Sequence, residues 1–171
     1  SVSATTWYHV CVTANTASGT PKIYLNGVDQ TSGSNSATTA FTNGSNLYIG
    51  KRPAGANVAA RIDDVRLYNR ILTAADAAQL ATGYLSNGLY IHYKMNEPSG
   101  TTATDYSGNS LSGTYTNGPS VSTDKPNALP DRTGCYNFDG SNDYLISSAT
   151  GSTITNKTVM AWVKLGSTSQ T

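Results

Sequence analysis

Hydrophobic and polar residues alternate one by one in several short segments of the chain. The clearest segment is Leu89–Glu97, in which every second residue from Leu89 to Met95 is apolar. A period of two is typical of a β-strand with one buried face. The same alternation predicts further strands at Trp7–Thr13, Lys22–Asn26, Leu47–Ile49, Ile62–Tyr68, Tyr136–Phe138, Asp143–Ser147 and Val159–Leu165.

Turn dipeptides separate these segments. Asn-Gly begins at Asn26, Asn43, Asn87 and Asn117, and Asp-Gly begins at Asp139. Such pairs tolerate the positive φ that tight hairpins require. One short helix is predicted over Thr73–Ala81, because Thr73 can cap its start, Asp76 suits its first turn and Gly83 can end it. The pattern indicates an all-β, two-sheet antiparallel sandwich with one short helix.

Composition narrows the function classes. The chain has 171 residues, which suits one domain or two small ones. Only 12% of the residues are charged and the net charge is +1, so we expect no nucleic-acid partner. No apolar run reaches the length of a membrane span. The richness in Ser, Thr, Asn and Tyr is typical of secreted modules, and we expect an extracellular or cell-surface location.

Cys11 and Cys135 are the two cysteines of the chain. Their spacing suits neither a zinc site nor a redox motif. They either form one disulfide, as in many secreted proteins, or are two small buried side chains. The sequence leaves both alternatives open.

Seven segments carry a resemblance to a known family. They are WYHVCVT, KIYLNGV, LYIGKR, ARIDDVRLYNRILTAADAAQL, GLYIHYKMNEPSGTTATDYSGNSLSGT, CYNFDGSNDYL and TVMAWVKL. Together they resemble the laminin-G-like, concanavalin A-like jelly-roll domains of bacterial surface and secreted proteins. The resemblance implies a jelly-roll sandwich, which agrees with the strand pattern.

The order of these segments is permuted. Residues 1–83 resemble the C-terminal half of such a domain, and residues 84–171 resemble the N-terminal half. The chain is thus a permuted domain that closes on itself, a window across a tandem array, or a fibre subunit completed by its neighbours. We favour an array or a fibre, because an open sandwich exposes strand edges and core. Copies of the chain or neighbouring repeats are the expected partners.

Catalytic residues are scarce. A glycosidase needs two carboxylates at a defined separation, and Glu97 is the single glutamate of the chain. The adjacent Asp63 and Asp64 would point to opposite faces of a strand. His9 and His92 are interpreted as structural or exposed residues. We therefore expect no enzymatic activity.

A calcium ion is the predicted metal. Asp105 and Asn109 flank an oxygen-rich loop, Asp63 needs a cation, an arginine or N–H donors if it turns toward the core edge, and Asp139 lies at a turn. The resemblance implies a structural calcium ion in such domains. The alternative for Asp105 and Asn109 is an ordinary Asx turn.

Tyrosines in predicted loops or at strand ends are candidates for sugar contacts. They are Tyr84, Tyr106 and Tyr115. Exposed tyrosines suit protein contacts equally well. The main hypothesis is a non-catalytic extracellular adhesion or structural module, a repeat or subunit of a surface protein or fibre. The alternative is a carbohydrate-binding module appended to an adhesin or a secreted enzyme.

Overall fold

The computed structural model describes residues 2–15, 21–32, 46–51, 57–129, 132–148 and 156–166. These residues form twelve strands and one helix, so the predicted fold class is confirmed. In chain order they are β1 (Trp7–Asn15), β2 (Lys22–Leu25), β3 (Val28–Asp29), β4 (Tyr48–Ile49), β5 (Ala59–Tyr68), β6 (Leu89–Tyr93), β7 (Thr102–Ala103), β8 (Gly113–Thr116), β9 (Ser120–Ser122), β10 (Cys135–Asp139), β11 (Tyr144–Ser147) and β12 (Asn156–Leu165), with the helix α1 (Ala74–Leu80) between β5 and β6. The predicted turn at Asn43 lies outside the described residues.

The strands form two antiparallel sheets. One sheet has the order β3-β2-β1-β12-β5-β10-β9, and β6 pairs with β5 outside this path. The other has the order β4-β11-β8-β7. β12 lies along one edge of β5, while β10 and β6 share the other edge.

Residues 1–83 and 84–171 both contribute strands to both sheets. In the larger sheet β12 lies between β1 and β5, and in the smaller sheet β4 pairs with β11. Each of the two segments therefore covers strand edges that the other would leave open. The assignment of the segments to one permuted domain or to two neighbouring repeats stays a prediction.

The main hydrophobic core lies between the sheets. Its buried members are Ile49, Ala60, Ile62, Val65, Leu67, Ile91, Tyr93, Met95, Ala103, Tyr115, Tyr136, Phe138 and Leu145. The rings of Tyr115 and Tyr136 stack with their centroids 3.8 Å apart and thus join the two sheets. Removing these apolar surfaces from water is the main force that holds the sandwich together.

A second cluster lies beside the helix. It contains Cys11, Tyr24, Tyr68, Leu72, Ala77, Leu80, Met160 and Trp162. Thr73 caps α1 and forms a capping box with Asp76, as the sequence predicts. Among the residues described, no helix is long and apolar enough to cross a membrane.

The structure corrects the disulfide alternative. Cys11 and Cys135 are both free, buried thiols. Cys11 belongs to β1 and Cys135 to β10, and β12 and β5 lie between these strands. Three strand spacings amount to about 14 Å. A disulfide requires Cα atoms within about 7 Å of each other.

A β-bulge interrupts β5 at Asp63 and Asp64. The register against β12 shifts between Met160 and Trp162, and Asp64 has a φ of 53°. The core-facing residues Ile62 and Val65 are three positions apart across the bulge, whereas core-facing residues of a regular strand are two positions apart. In a regular strand Asp63 would share the face of Val65 and Leu67, and the prediction that it turns toward the core edge depends on that spacing. The prediction is wrong, because a bulge inserts one extra residue between Asp63 and these positions.

Candidate functional site

Asp64 is the centre of a buried ionic cluster on the side of β5 away from the main core. Arg66 donates two hydrogen bonds to it, from Nε to Oδ1 (3.2 Å) and from Nη2 to Oδ2 (2.8 Å). Arg132 Nη2 lies 2.7 Å from Oδ1, and His92 Nε2 lies 2.8 Å from the same oxygen. All four side chains are buried. The carboxylate is thus fully surrounded by protein donors.

Three parts of the chain supply this cluster. Asp64 and Arg66 come from β5, and His92 lies directly opposite Arg66 on β6. Arg132 precedes β10, which lies on the same edge of β5 as β6. The bulge places Asp64 in the left-handed region, where bulges commonly re-aim a side chain.

The charge states of the cluster follow from its contacts. Burial alone would raise the pKa of Asp64, but the hydrogen bond from His92 and the positive charges of Arg66 and Arg132 outweigh it and lower that pKa. Burial lowers the pKa of His92, even though Asp64 attracts a proton to it. At neutral pH a neutral His92 therefore donates Nε2–H to an ionised Asp64.

A cavity of about 430 Å³ opens above this cluster. Its lining is Arg66, Gly83, Tyr84, His92, Lys94, Tyr106, Ala128, Leu129 and Arg132. The guanidinium and imidazole groups are held from below by Asp64, so the polar floor is fixed before any ligand enters.

Two half-exposed tyrosines stand at this cavity. Tyr84 is 50% exposed and Tyr106 is 47% exposed. The Tyr84 ring lies over the guanidinium of Arg66 (4.8 Å from Cζ to the ring centroid). The ammonium of Lys94 lies 4.3 Å from the centroid of Tyr106. Both rings also contact the ring of His92, with centroids 5.8 and 6.2 Å away.

The three tyrosine candidates from the sequence have different outcomes. Tyr84 and Tyr106 line the cavity, which places two of them together. Tyr115 lies near the end of β8 and is buried in the main core, where its hydroxyl donates to Glu97 Oε2, so it does not line the cavity. Sequence reasoning did not find the cationic floor, since Arg66 and Arg132 are 66 positions apart and share no motif.

Asp105 and Asn109 lie in one loop, and their side chains already form hydrogen bonds with other groups of the protein. The carboxylate of Asp105 accepts hydrogen bonds from the backbone N–H groups of His92, Ser107 and Leu111 and from the hydroxyl of Ser107. The amide of Asn109 donates to Tyr90 O. The bond from Ser107 N to Asp105 Oδ1 is an Asx turn, the alternative that the sequence left open.

The other two candidate calcium ligands lie elsewhere. Asp63 is fully buried within β5, and Asp139 accepts the N–H groups of Ser141 and Asn142 in the turn after β10. Within the described ranges no group of three or more His, Cys, Asp or Glu residues could hold a metal ion. The four residues therefore do not fit one shared calcium ion, and calcium binding stays an untested prediction.

The candidate acid and base groups are tied to structural partners. Glu97 accepts hydrogen bonds from Thr104 N and from the Tyr115 hydroxyl. His9 is fully buried. In the part of the chain that the structure describes, no Ser, Thr or Cys side chain hydrogen-bonds to either histidine ring. The expectation that the chain has no enzymatic activity stays a prediction.

Comparison with family models matches residues 1–78 to the family described as the Concanavalin A-like lectin/glucanases superfamily. The superfamily includes both binding modules and glycosidases, and its laminin-G-like domains are often extracellular adhesion or carbohydrate-binding modules. Neither the curated proteins nor the solved structures gave a match. The resemblance noted in the sequence is thereby confirmed over residues 1–78, which match this family model and contribute strands to both sheets of the sandwich.

Proposed function

We propose that the chain is a non-catalytic extracellular adhesion module that binds carbohydrate in the cavity between Tyr84 and Tyr106. The observation that carries this proposal is the placement of two half-exposed tyrosines at one concave cavity of about 430 Å³ with a polar floor. Small-ligand sites are typically clefts of about 300–1,000 Å³ with a few well-placed polar groups.

Sugars match this lining in their chemistry. A pyranose ring has an apolar C–H face and a rim of hydroxyl groups. Tyr84 and Tyr106 supply aromatic faces at low conformational cost, because a tyrosine has few rotatable bonds. The buried donors of Arg66, His92 and Arg132 are already oriented by Asp64, so little ordering would accompany binding.

The same contacts favour binding over catalysis. A general acid must hold a proton within reach of the substrate. Asp64 is 1% exposed, accepts four hydrogen bonds and has a lowered pKa, so it is ionised and shielded. No acidic side chain belongs to the described lining of the cavity. A glycosidase would need two carboxylates there.

A glycan panel tests the proposal directly. Neutral and acidic oligosaccharides are measured against the wild-type chain and the variants Tyr84→Ala and Tyr106→Ala by affinity electrophoresis and calorimetry. Each variant should weaken binding about tenfold, as truncation of a central aromatic contact commonly does. Far-ultraviolet circular dichroism confirms that each variant is folded.

Tyr144→Ala is the matched control. Tyr144 lies on the smaller sheet, where Lys51 is 4.3 Å from its ring centroid, the same distance as between Lys94 and Tyr106. This variant should bind as the wild type does. Absence of binding to every saccharide, or equal losses in all three variants, would refute the proposed site.

Assembly with copies of the chain is a second candidate function. β3 and β9 end the path of the larger sheet, and Val28 on β3 and Val121 on β9 are 60% and 47% exposed. Exposed apolar strand edges promote pairing between chains. Light scattering should show oligomers that the paired substitutions Val28→Lys and Val121→Lys disperse. A monomer at high concentration would remove this candidate.

A further inference from the structure

The described lining of the cavity carries positive charge without a negative side chain. Arg66, Lys94 and Arg132 all line it, and the nearest carboxylate of the cluster, Asp64, lies buried beneath the floor. The lining thus holds three cationic side chains, and Asp64 contacts two of them, Arg66 and Arg132. A concave surface of one sign concentrates its field on the space inside it.

Lys94 is the accessible part of this charge. It follows β6, is half-buried and lies against the face of Tyr106. Within the described ranges Lys94 has no acidic partner, whereas Lys22 and Lys164 are paired with Asp29 and Asp124. Its ammonium group is therefore held against an aromatic ring, and no carboxylate in the described ranges neutralises its charge.

The two arginines add geometry to the charge. A guanidinium is planar, always charged and suited to oxyanions such as carboxylates and sulfates. Asp64 fixes Arg66 from both Nε and Nη2, and it holds Arg132 at 2.7 Å. The two guanidinium groups are thus fixed before any ligand binds, in the same cavity as the rings of Tyr84 and Tyr106.

From this arrangement, and resting on the proposed function, we propose that the cavity selects an anionic saccharide. The acidic group of the sugar meets the cationic lining around Lys94, and the sugar ring lies against the tyrosines. Carboxylated sugars and sulfated sugars share this chemistry, and the test separates them.

The decisive probe is a pair of ligands that differ only in charge. Tetragalacturonate and its methyl ester have the same sugar backbone and form the first pair. A sulfated galactose oligosaccharide and its unsulfated form are the second pair, which represents the sulfate source. Each is titrated into the chain by calorimetry. The acidic member of at least one pair, or the sulfated ligand, should bind about tenfold or more tightly than its neutral counterpart.

A lysine variant and its control locate the effect. Lys94→Gln should reduce the preference for the acidic over the neutral ligand about tenfold. Lys51→Gln removes a lysine with the same distance to a tyrosine ring outside the cavity and should change neither affinity. Raising NaCl from about 20 mM to about 300 mM should reduce the preference for the acidic ligand, since salt screens exposed charges.

The outcomes separate this inference from the proposed function. Equal binding of acidic and neutral ligands, with losses in Tyr84→Ala and Tyr106→Ala, would overturn the charge selection and keep carbohydrate binding. Equal losses in Lys94→Gln and Lys51→Gln would also overturn it. Absence of binding to every saccharide would refute the proposed function itself and this inference with it.

Discussion

His9 and His92 are both buried in the larger sheet, but they differ in their partners. His92 Nε2 lies 2.8 Å from the carboxylate of Asp64. Neither ring nitrogen of His9 has a hydrogen-bond partner in the described structure, and the ring contacts Trp162 edge-on at 5.5 Å. Burial lowers the pKa of both residues, and that of His9 falls to about 4. Both histidines are therefore buried, but only His92 combines burial with a charged partner and a place in the lining of the cavity.

Removing Asp64, the carboxylate that His92 shares with the two arginines, should lower the free energy of unfolding more than any other change proposed here. Asp64→Ala leaves two buried guanidinium groups without their carboxylate, and breaking such a network typically costs about 3–5 kcal/mol. The free energy of unfolding is measured in urea. Asp139→Ala, at the exposed end of β10, is the control and should cost much less. Equal losses would show that the ionic cluster adds little to stability.

Acid should destabilise the fold in part through His9, the histidine whose ring has no hydrogen-bond partner among the described residues. Unfolded chains protonate histidine below about pH 6.5, whereas the folded protein protonates His9 only near pH 4. Protons therefore favour the unfolded state between these values, and stability falls as the pH falls. Between pH 7.5 and pH 5 the loss from His9 should be about 2 kcal/mol.

The variant His9→Phe isolates this contribution. It keeps a ring of similar size beside Trp162 but cannot take up a proton. Urea unfolding at the two pH values should show that the variant loses about 2 kcal/mol less than the wild type. An unchanged dependence on pH would show that His9 does not control the acid response.

The two buried cysteines also differ in their surroundings, but we expect this difference to have little effect on their reactivity. The Cys135 thiol donates to Asp124 O, and Cys11 lies in the apolar cluster beside the helix. Burial raises the pKa of both thiols to about 12. Both should resist alkylation at pH 8 in the native state and react in urea without added reductant. Protection that persists in urea until a reductant is added would indicate a disulfide.

Calcium should have the smallest effect. The carboxylate of Asp105 already accepts hydrogen bonds from the protein, and the described residues contain no group of three or more His, Cys, Asp or Glu that could hold a metal ion. Thermal unfolding with EDTA and with added calcium should give melting temperatures within about 1 °C of each other. A clear rise with calcium, lost in Asp105→Asn, would show that an ion does bind at this loop.

Much of the sandwich is predictable because alternation is a local property. Most strands, and the capped helix within one residue at either end, follow from the sequence pattern. β6 ends at Tyr93, four residues earlier than predicted, and Met95 then takes a φ of 54°. Alternation cannot reveal that change, nor the bulge at Asp64.

The candidate site is less predictable because it is assembled from distant segments. Two of its tyrosines were identifiable as polar-loop aromatics. Arg132 joins Asp64 across 68 positions, so the contact depends on β10 pairing with β5. Of the four predicted calcium ligands, Asp105 and Asn109 share one loop, whereas Asp63 belongs to β5 and Asp139 to β10, and calcium binding by these residues stays a prediction.

The pairing of β1 with β12 has a mechanical consequence. The first residue of β1, Trp7, lies opposite Lys164 near the end of β12, so the two ends of the described chain leave the sheet at the same corner. Tension between those ends would break the hydrogen bonds between β1 and β12 one after another, and would not shear them all at once. Under traction, the pairing of β1 with β12 would therefore begin to open at the end that holds Thr5 and Trp7, while Arg66 of the cavity floor lies opposite Met160, further along β12.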